Sequence, residues 1–130
     1  MEIDLRPRCD DGTVPDDCIL HQWYNTLEEA TKRIGKSILL PPNMKETLQI
    51  MGFVDIREEV IKLPLNQWSS DPEAQAMALW YNPCFTDCLE PLSLKPFTRS
   101  FQWVPDQVSP YLEEVKKASR DTSLHAYNNM

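Results

Sequence analysis

Few side chains in this sequence can do acid–base or covalent chemistry, and their spacing limits what that chemistry would be. The histidines are His21 and His125. Nucleophilic catalysis needs a Ser, Thr or Cys held against a base, and neither histidine sits in a recognisable nucleophile motif. His21 is followed by Gln22, Trp23 and Tyr24 on a predicted helix. That group either lines a pocket for an aromatic or apolar ligand, or gives two rings to the core and leaves the imidazole exposed. The cysteines are Cys9, Cys18, Cys84 and Cys88. They lack the two close-set knuckles of a structural zinc site, and the histidines do not complete one, so no metal is expected. Cys84 and Cys88 stand four apart on one predicted helical stripe with Trp80, where cysteine acts as a small hydrophobe, and core packing is expected.

Carboxylates occur as doublets: Asp10–Asp11, Asp16–Asp17, Glu58–Glu59 and Glu113–Glu114. Adjacent residues do not face each other on a helix and point to opposite faces on a strand, so such pairs read as solvated charge rather than as a catalytic couple. The aromatic stretches WYNPCF, PFTRSFQW and HAY are more unusual, and four tryptophans in 130 residues is a heavy load. Indole N–H groups need partners when buried. Either these rings cover a sheet or they wall a small-molecule pocket.

Elements must position these groups, and the composition bounds what they can build. The chain is long enough for one domain at most. It is 42% hydrophobic and 25% charged, which supports a core rather than disorder. A formal net charge of −7 offers no basic surplus for nucleic acid or an anionic membrane. No apolar run is long enough to span a bilayer, and Met1 is followed by Glu2, Asp4 and Arg6 rather than a secretory h-region. A reducing cytoplasmic or nuclear compartment with free thiols is therefore expected. Three glycines, Gly12, Gly35 and Gly52, stand singly, against 11 prolines, so no GxGxxG or Walker sequence can be written.

Periodicity places a helix over Asp17–Ile34, through Leu20, Trp23, Tyr24, Leu27 and Ile34, with Gly35 ending it in the left-handed conformation. Asn43 and Glu46 form a capping-box pattern for a short helix that stops at Gly52. Phe53–Leu63 reads as a strand that becomes polar at Glu58 and Glu59. Asp71 and Pro72 start a helix running to about Leu92, kinked or divided at Pro83. A further helix covers Asp106–Ser119, and strands are expected at the MEIDL end and from Leu124 onward.

Taken in order, DDGTVPDD, HQWYNTLEEATKRIGK, MGFVDIREEVIKLPLNQW, LKPFTRSFQWVPDQV and SLHAY resemble the C-terminal half of fungal class I S-adenosylmethionine-dependent methyltransferases of the LaeA-like type. The sharpest segment is Gly52–Trp68. The resemblance implies an α/β fold, the C-terminal part of a Rossmann-like sheet, mostly helical here with two or three strands of an incomplete sheet. MEIDL would be the end of the fifth strand, Gly52–Leu63 the sixth and Leu124 onward the seventh. The helices at 17–34 and 71–92 would cap the substrate site, making His21, Trp23, Tyr24, Trp80 and Tyr81 the substrate-binding candidates. It implies a methyltransferase of fungal secondary metabolism or its regulation. The acceptor would be a small molecule or a protein partner, held in line with the methyl group of S-adenosylmethionine, with His21 as a base. The family's glycine-rich cofactor loop and ribose-binding acid have no counterpart, so the chain alone is expected to lack the cofactor-binding half and to expose strand edges and apolar stripes. Two other readings stay open: a non-catalytic cap module for a partner or apolar ligand, and a scaffold reused for non-methyl chemistry.

Overall fold

The computed structural model describes residues 2–39 and 44–130. In chain order it contains β1 (Asp4–Arg8), α1 (Ile19–Arg33), α2 (Met44–Ile50), β2 (Lys62–Pro64), α3 (Pro72–Phe101), α4 (Pro105–Arg120) and β3 (Tyr127–Asn129). The three strands form one sheet in the order β1-β3-β2. Since β3 runs antiparallel to both neighbours, β1 and β2 are parallel to each other and their carboxyl ends lie on the same side. The mixed α/β class is as expected.

The core forms where α1, α3 and α4 pack together over the sheet. Leu20, Trp23, Leu27 and Ala30 of α1 are buried at helical spacing, as are Val108, Leu112 and Val115 of α4. Helix α3 presents Phe85, Leu89, Ser93 and Phe97, each four residues from the last, to the same interior. The Trp23 indole Nε1 donates to Ser93 Oγ at 2.9 Å, which satisfies the one polar atom that a fully buried tryptophan brings. The PFTRSFQW stretch also turns inward. Phe97, Phe101, Trp103 and Tyr111 form a chain of ring contacts with centroids 5.3–6.4 Å apart, joining the end of α3 to α4.

Three expectations require correction. First, α3 does not stop near Leu92 but runs 30 residues to Phe101, through Pro83, Pro91 and Pro96. Each internal proline forfeits a backbone hydrogen bond and disfavours the helix by about 3 kcal/mol. The helix persists because its buried stripe is continuous across all three, while Pro83 and Pro91 lie on the exposed side. Second, Cys84 and Cys88 are exposed rather than packed in the core, since the buried stripe passes through Phe85 and Leu89 instead.

Third, the strand expected over Phe53–Leu63 is reduced to Lys62–Pro64. Its ladder extends one residue further through the reciprocal Ile61–Met130 backbone bonds. Residues 53–60 carry β-forming side chains but find no strand partner among the described residues, and β-propensity without a neighbour does not make a strand. The expected N-cap, Asn43, lies outside the described residues. Gly35 and Gly52 both adopt positive φ at the ends of α1 and α2, the role their positions suggested.

Candidate functional site

The carboxyl ends of β1 and β2, and the start of β3 between them, bring together a group of ionisable and aromatic side chains. β1 leads into the loop Cys9–Val14. There Asp11 Oδ1 accepts from the Thr13 N–H at 3.1 Å and the Thr13 hydroxyl at 2.8 Å, a tight turn that Gly12 permits with φ of 75°. The Cys9 thiol donates to the same oxygen at 3.1 Å. Thr13 Oγ1 in turn accepts the His125 backbone N–H at 3.0 Å, fastening the loop to the residues that open β3. On the other side, β2 continues past Pro64, where Leu65 N–H bonds to Ala126 O at 2.9 Å. The Trp68 indole donates to Ala126 O at 3.3 Å.

These constraints converge on the His125 imidazole. Its Nδ1 lies 2.5 Å from Asp11 Oδ2, and its ring stacks on Trp68 with centroids 4.7 Å apart and planes inclined by 18°. An ionised carboxylate only accepts, so Nδ1 carries the proton. In the neutral ring Nε2 then holds the lone pair, and Nε2 has no partner among the described residues. Hydrogen bonds from Cys9, His125 and Thr13 hold the Asp11 carboxyl well below the usual carboxylate range. Beside it, Asp10 accepts from the Tyr127 hydroxyl at 2.7 Å and from Lys62 Nζ at 2.5 Å, and that ammonium also lies 4.7 Å from the centre of the Tyr127 ring. Lys62 and Tyr127 bonding lowers the Asp10 pKa, and Asp10 in turn raises those of Lys62 and Tyr127.

The substrate-binding candidates read from the sequence are not assembled in this way. Trp23 and Tyr24 are 0% and 2% exposed and belong to the core. Tyr81 is half-buried on α3 and donates to Asn128 Oδ1 at 3.0 Å, which braces the sheet; burial pushes its phenol pKa up. His21 is half-buried on α1 and makes no described hydrogen bond. Trp80 is 80% exposed, on the outer side of α3 away from Phe85 and Leu89. A cavity of about 690 Å³ does exist, between β1, α2 and residues 56–60, but its walls include Arg6, Arg8, Arg57 and Glu58 and none of those five residues.

Sequence reasoning set Asp11 aside as one member of a solvated doublet and left His125 without a role. The DDGT and HAY stretches were each conspicuous, but nothing local signals that residues 114 apart meet. Among the described residues no two glycines share a turn that could cradle the phosphate-free tail of S-adenosylmethionine or any other nucleoside cofactor. Gly12, Gly35 and Gly52 each adopt positive φ in a separate turn. Among the described residues no group of three or more His, Cys, Asp or Glu could hold a metal ion, and no helix is long and apolar enough to cross a membrane.

Over essentially its whole length the chain is homologous to part of the LaeA-like secondary metabolism regulators of fungi. It is 40% identical over 131 aligned positions to the secondary metabolism regulator LAE1 of Cochliobolus heterostrophus, covering 100% of this chain and 43% of that protein. It is 37% identical to the secondary metabolism regulator laeA of Monascus pilosus, over 98% of this chain and 35% of the relative. A third relative, at 35% identity over 98% of this chain and 34% of its own length, is the protein-methionine methyltransferase laeA of Emericella nidulans. The chain thus spans less than half the length of the curated relatives it matches. No protein-family profile and no solved structure matches it.

Proposed function

We propose that this chain is the substrate-side and sheet-edge part of an S-adenosylmethionine-dependent methyltransferase domain that serves fungal secondary metabolism or its regulation. The observation that carries this reading is the end-to-end similarity to one segment of longer relatives, one of which is named as a methyltransferase. The sheet agrees with it. If β1, β2 and β3 are the fifth, sixth and seventh strands of a Rossmann-like fold, the observed order sets the seventh antiparallel between two parallel strands, with one side of β1 free for further pairing. On this reading S-adenosylmethionine is held by the portion of the relatives that lies outside the aligned segment. The present chain contributes the carboxyl-end cluster, where open α/β sheets bind ligands, and α3 as cover. The acceptor is a small molecule or a protein side chain, the methionine thioether in the Emericella relative's name being one such group. A cytoplasmic or nuclear location goes with this reading.

A second reading, a cap module that binds a partner without catalysis, has one observation in its favour. Trp80, Cys84, Cys88 and Leu92 form an exposed row at four-residue spacing along α3. Isothermal titration with S-adenosylmethionine separates the two. The chain alone should give no saturable heat, and mixing it with the cofactor-side portion of the Cochliobolus relative should restore saturable binding. Silence in both titrations would favour the cap module. Saturable binding by the chain alone would overturn the division of labour and the cap reading together.

A further inference from the structure

The Asp11–His125–Trp68 cluster has properties that a purely structural latch does not require. A latch between the Cys9–Val14 loop and β3 is already supplied by the His125 N–H to Thr13 Oγ1 bond. The imidazole adds an acceptor at Nε2 whose direction is fixed twice over, by Asp11 at Nδ1 and by the Trp68 ring against its face. Fixing Nδ1–H selects the tautomer in which Nε2 accepts, and stacking removes ring rotation, so little entropy remains to be lost when a donor arrives. The His125 side chain keeps 31% of its surface in solvent, so a ligand can reach it. The neighbouring carboxylates are already engaged, Asp11 by Thr13, Cys9 and His125, and Asp10 by Tyr127 and Lys62, leaving Nε2 as an acceptor with no partner among the described residues.

We propose that His125, oriented by Asp11 and backed by Trp68, is the hydrogen-bond-accepting centre of a binding site for a hydroxyl-bearing ring compound, a phenol in its simplest form, at the carboxyl ends of β1 and β2. The hydroxyl donates to Nε2, and the ring extends the aromatic surface begun by Trp68. Methylating that hydroxyl removes the donor to Nε2, so the site discriminates a phenol from its methyl ether. The proposal concerns binding by this chain and stands whether or not the methyltransferase reading holds.

Nuclear magnetic resonance on the chain with 15N-labelled histidine tests it directly, with phenol and anisole as probes. In the neutral form of the His125 ring, Nδ1 should be protonated and Nε2 bare. Phenol should move His125 Nε2 and the Trp68 indole signals saturably, leave His21 unmoved, and bind about tenfold more tightly than anisole, the worth of roughly one hydrogen bond. His125→Gln should abolish the response to phenol, and Asp11→Asn, which no longer dictates the tautomer, should weaken it. Equal responses to phenol and anisole, equal shifts at His21 and His125, or a proton on Nε2 instead of Nδ1 would each overturn the proposal. All three are read on the unmutated chain, so an unfolded variant does not obscure the result. Failure of S-adenosylmethionine binding in the reconstituted pair, with the phenol response intact, would count against the methyltransferase reading alone.

Discussion

Trp23 on α1 and Ser93 on α3 are both fully buried and joined by a 2.9 Å hydrogen bond across 70 residues of sequence. The Phe85 ring meets the indole edge-on beside this bond, with centroids 5.6 Å apart. Ser93→Ala leaves the indole N–H unpaired in the core. We expect a loss of about 1–3 kcal/mol, the usual penalty for an orphaned buried donor, read as a lower urea midpoint at unchanged m-value.

Asn82 ties three elements together. Its side-chain amide donates to Leu65 O at 2.6 Å, and to Ser119 O and Ser119 Oγ at 3.2 Å each, so α3 holds the end of β2 and the last turn of α4. Asn82→Asp puts an acceptor where three acceptors already converge. It should cost more than Asn82→Ala at neutral pH, by roughly 1 kcal/mol or more, and thermal unfolding followed by circular dichroism would show the order. Equal melting temperatures for the two variants would contradict the bonding described.

The Asp11 carboxyl is ionised more readily in the folded chain than in the unfolded one, through its bonds to Cys9, His125 and Thr13. A depressed folded-state pKa contributes stability that is fully present above the ordinary value of 3.8 and is lost as pH falls below it, toward the lower folded-state value. Wild type should therefore exceed Asp11→Asn in stability at neutral pH, by an increment that shrinks steadily below about pH 4. The measurement is a series of urea midpoints against pH for both proteins. An increment that grows on acidification would show the sign to be wrong.

Cys84 and Cys88 are exposed on α3, whereas Cys9 and Cys18 are half-buried. In the folded protein two thiols should react promptly with Ellman's reagent and two only slowly, and the mass of the partly labelled chain should place the fast pair between residues 80 and 92. Adjacent turns of a helix hold these two sulfurs too far apart for an unstrained bridge, so mild oxidation should link chains to one another before it closes a ring.

How far the sequence discloses this arrangement depends on the range over which each signal acts. Helices α1 and α4 were legible because their apolar residues recur at a period set by the helix itself, and the ends of α1 and α2 because Gly35 and Gly52 meet a local conformational demand. The length of α3 was not legible. Proline is a local signal against helix, and the stripe Phe85, Leu89, Ser93 and Phe97 prevails only because α1 and α4 pack on it. Residues 53–60 erred the other way, with local preference for a strand but no neighbour to realise it. Site prediction followed the same division. Trp23 and Tyr24 read as either pocket wall or core because aromatic rings serve both, whereas the pairing of Asp11 with His125 exists only once β1 and β3 are side by side.

The placement of β3 between β1 and β2 governs the order in which the molecule can be assembled. Asn128 Nδ2 donates to Arg6 O across 122 residues, so among the described residues each outer strand finds its neighbour only in a segment far along the chain. Closing so long a loop is slow relative to helix formation. Strand pairing is therefore expected to follow helix formation, with β1 and β2 joined only through β3. The Asp11–His125 contact depends on the same long-range pairing, so the candidate site is expected to form with the sheet rather than with the helices.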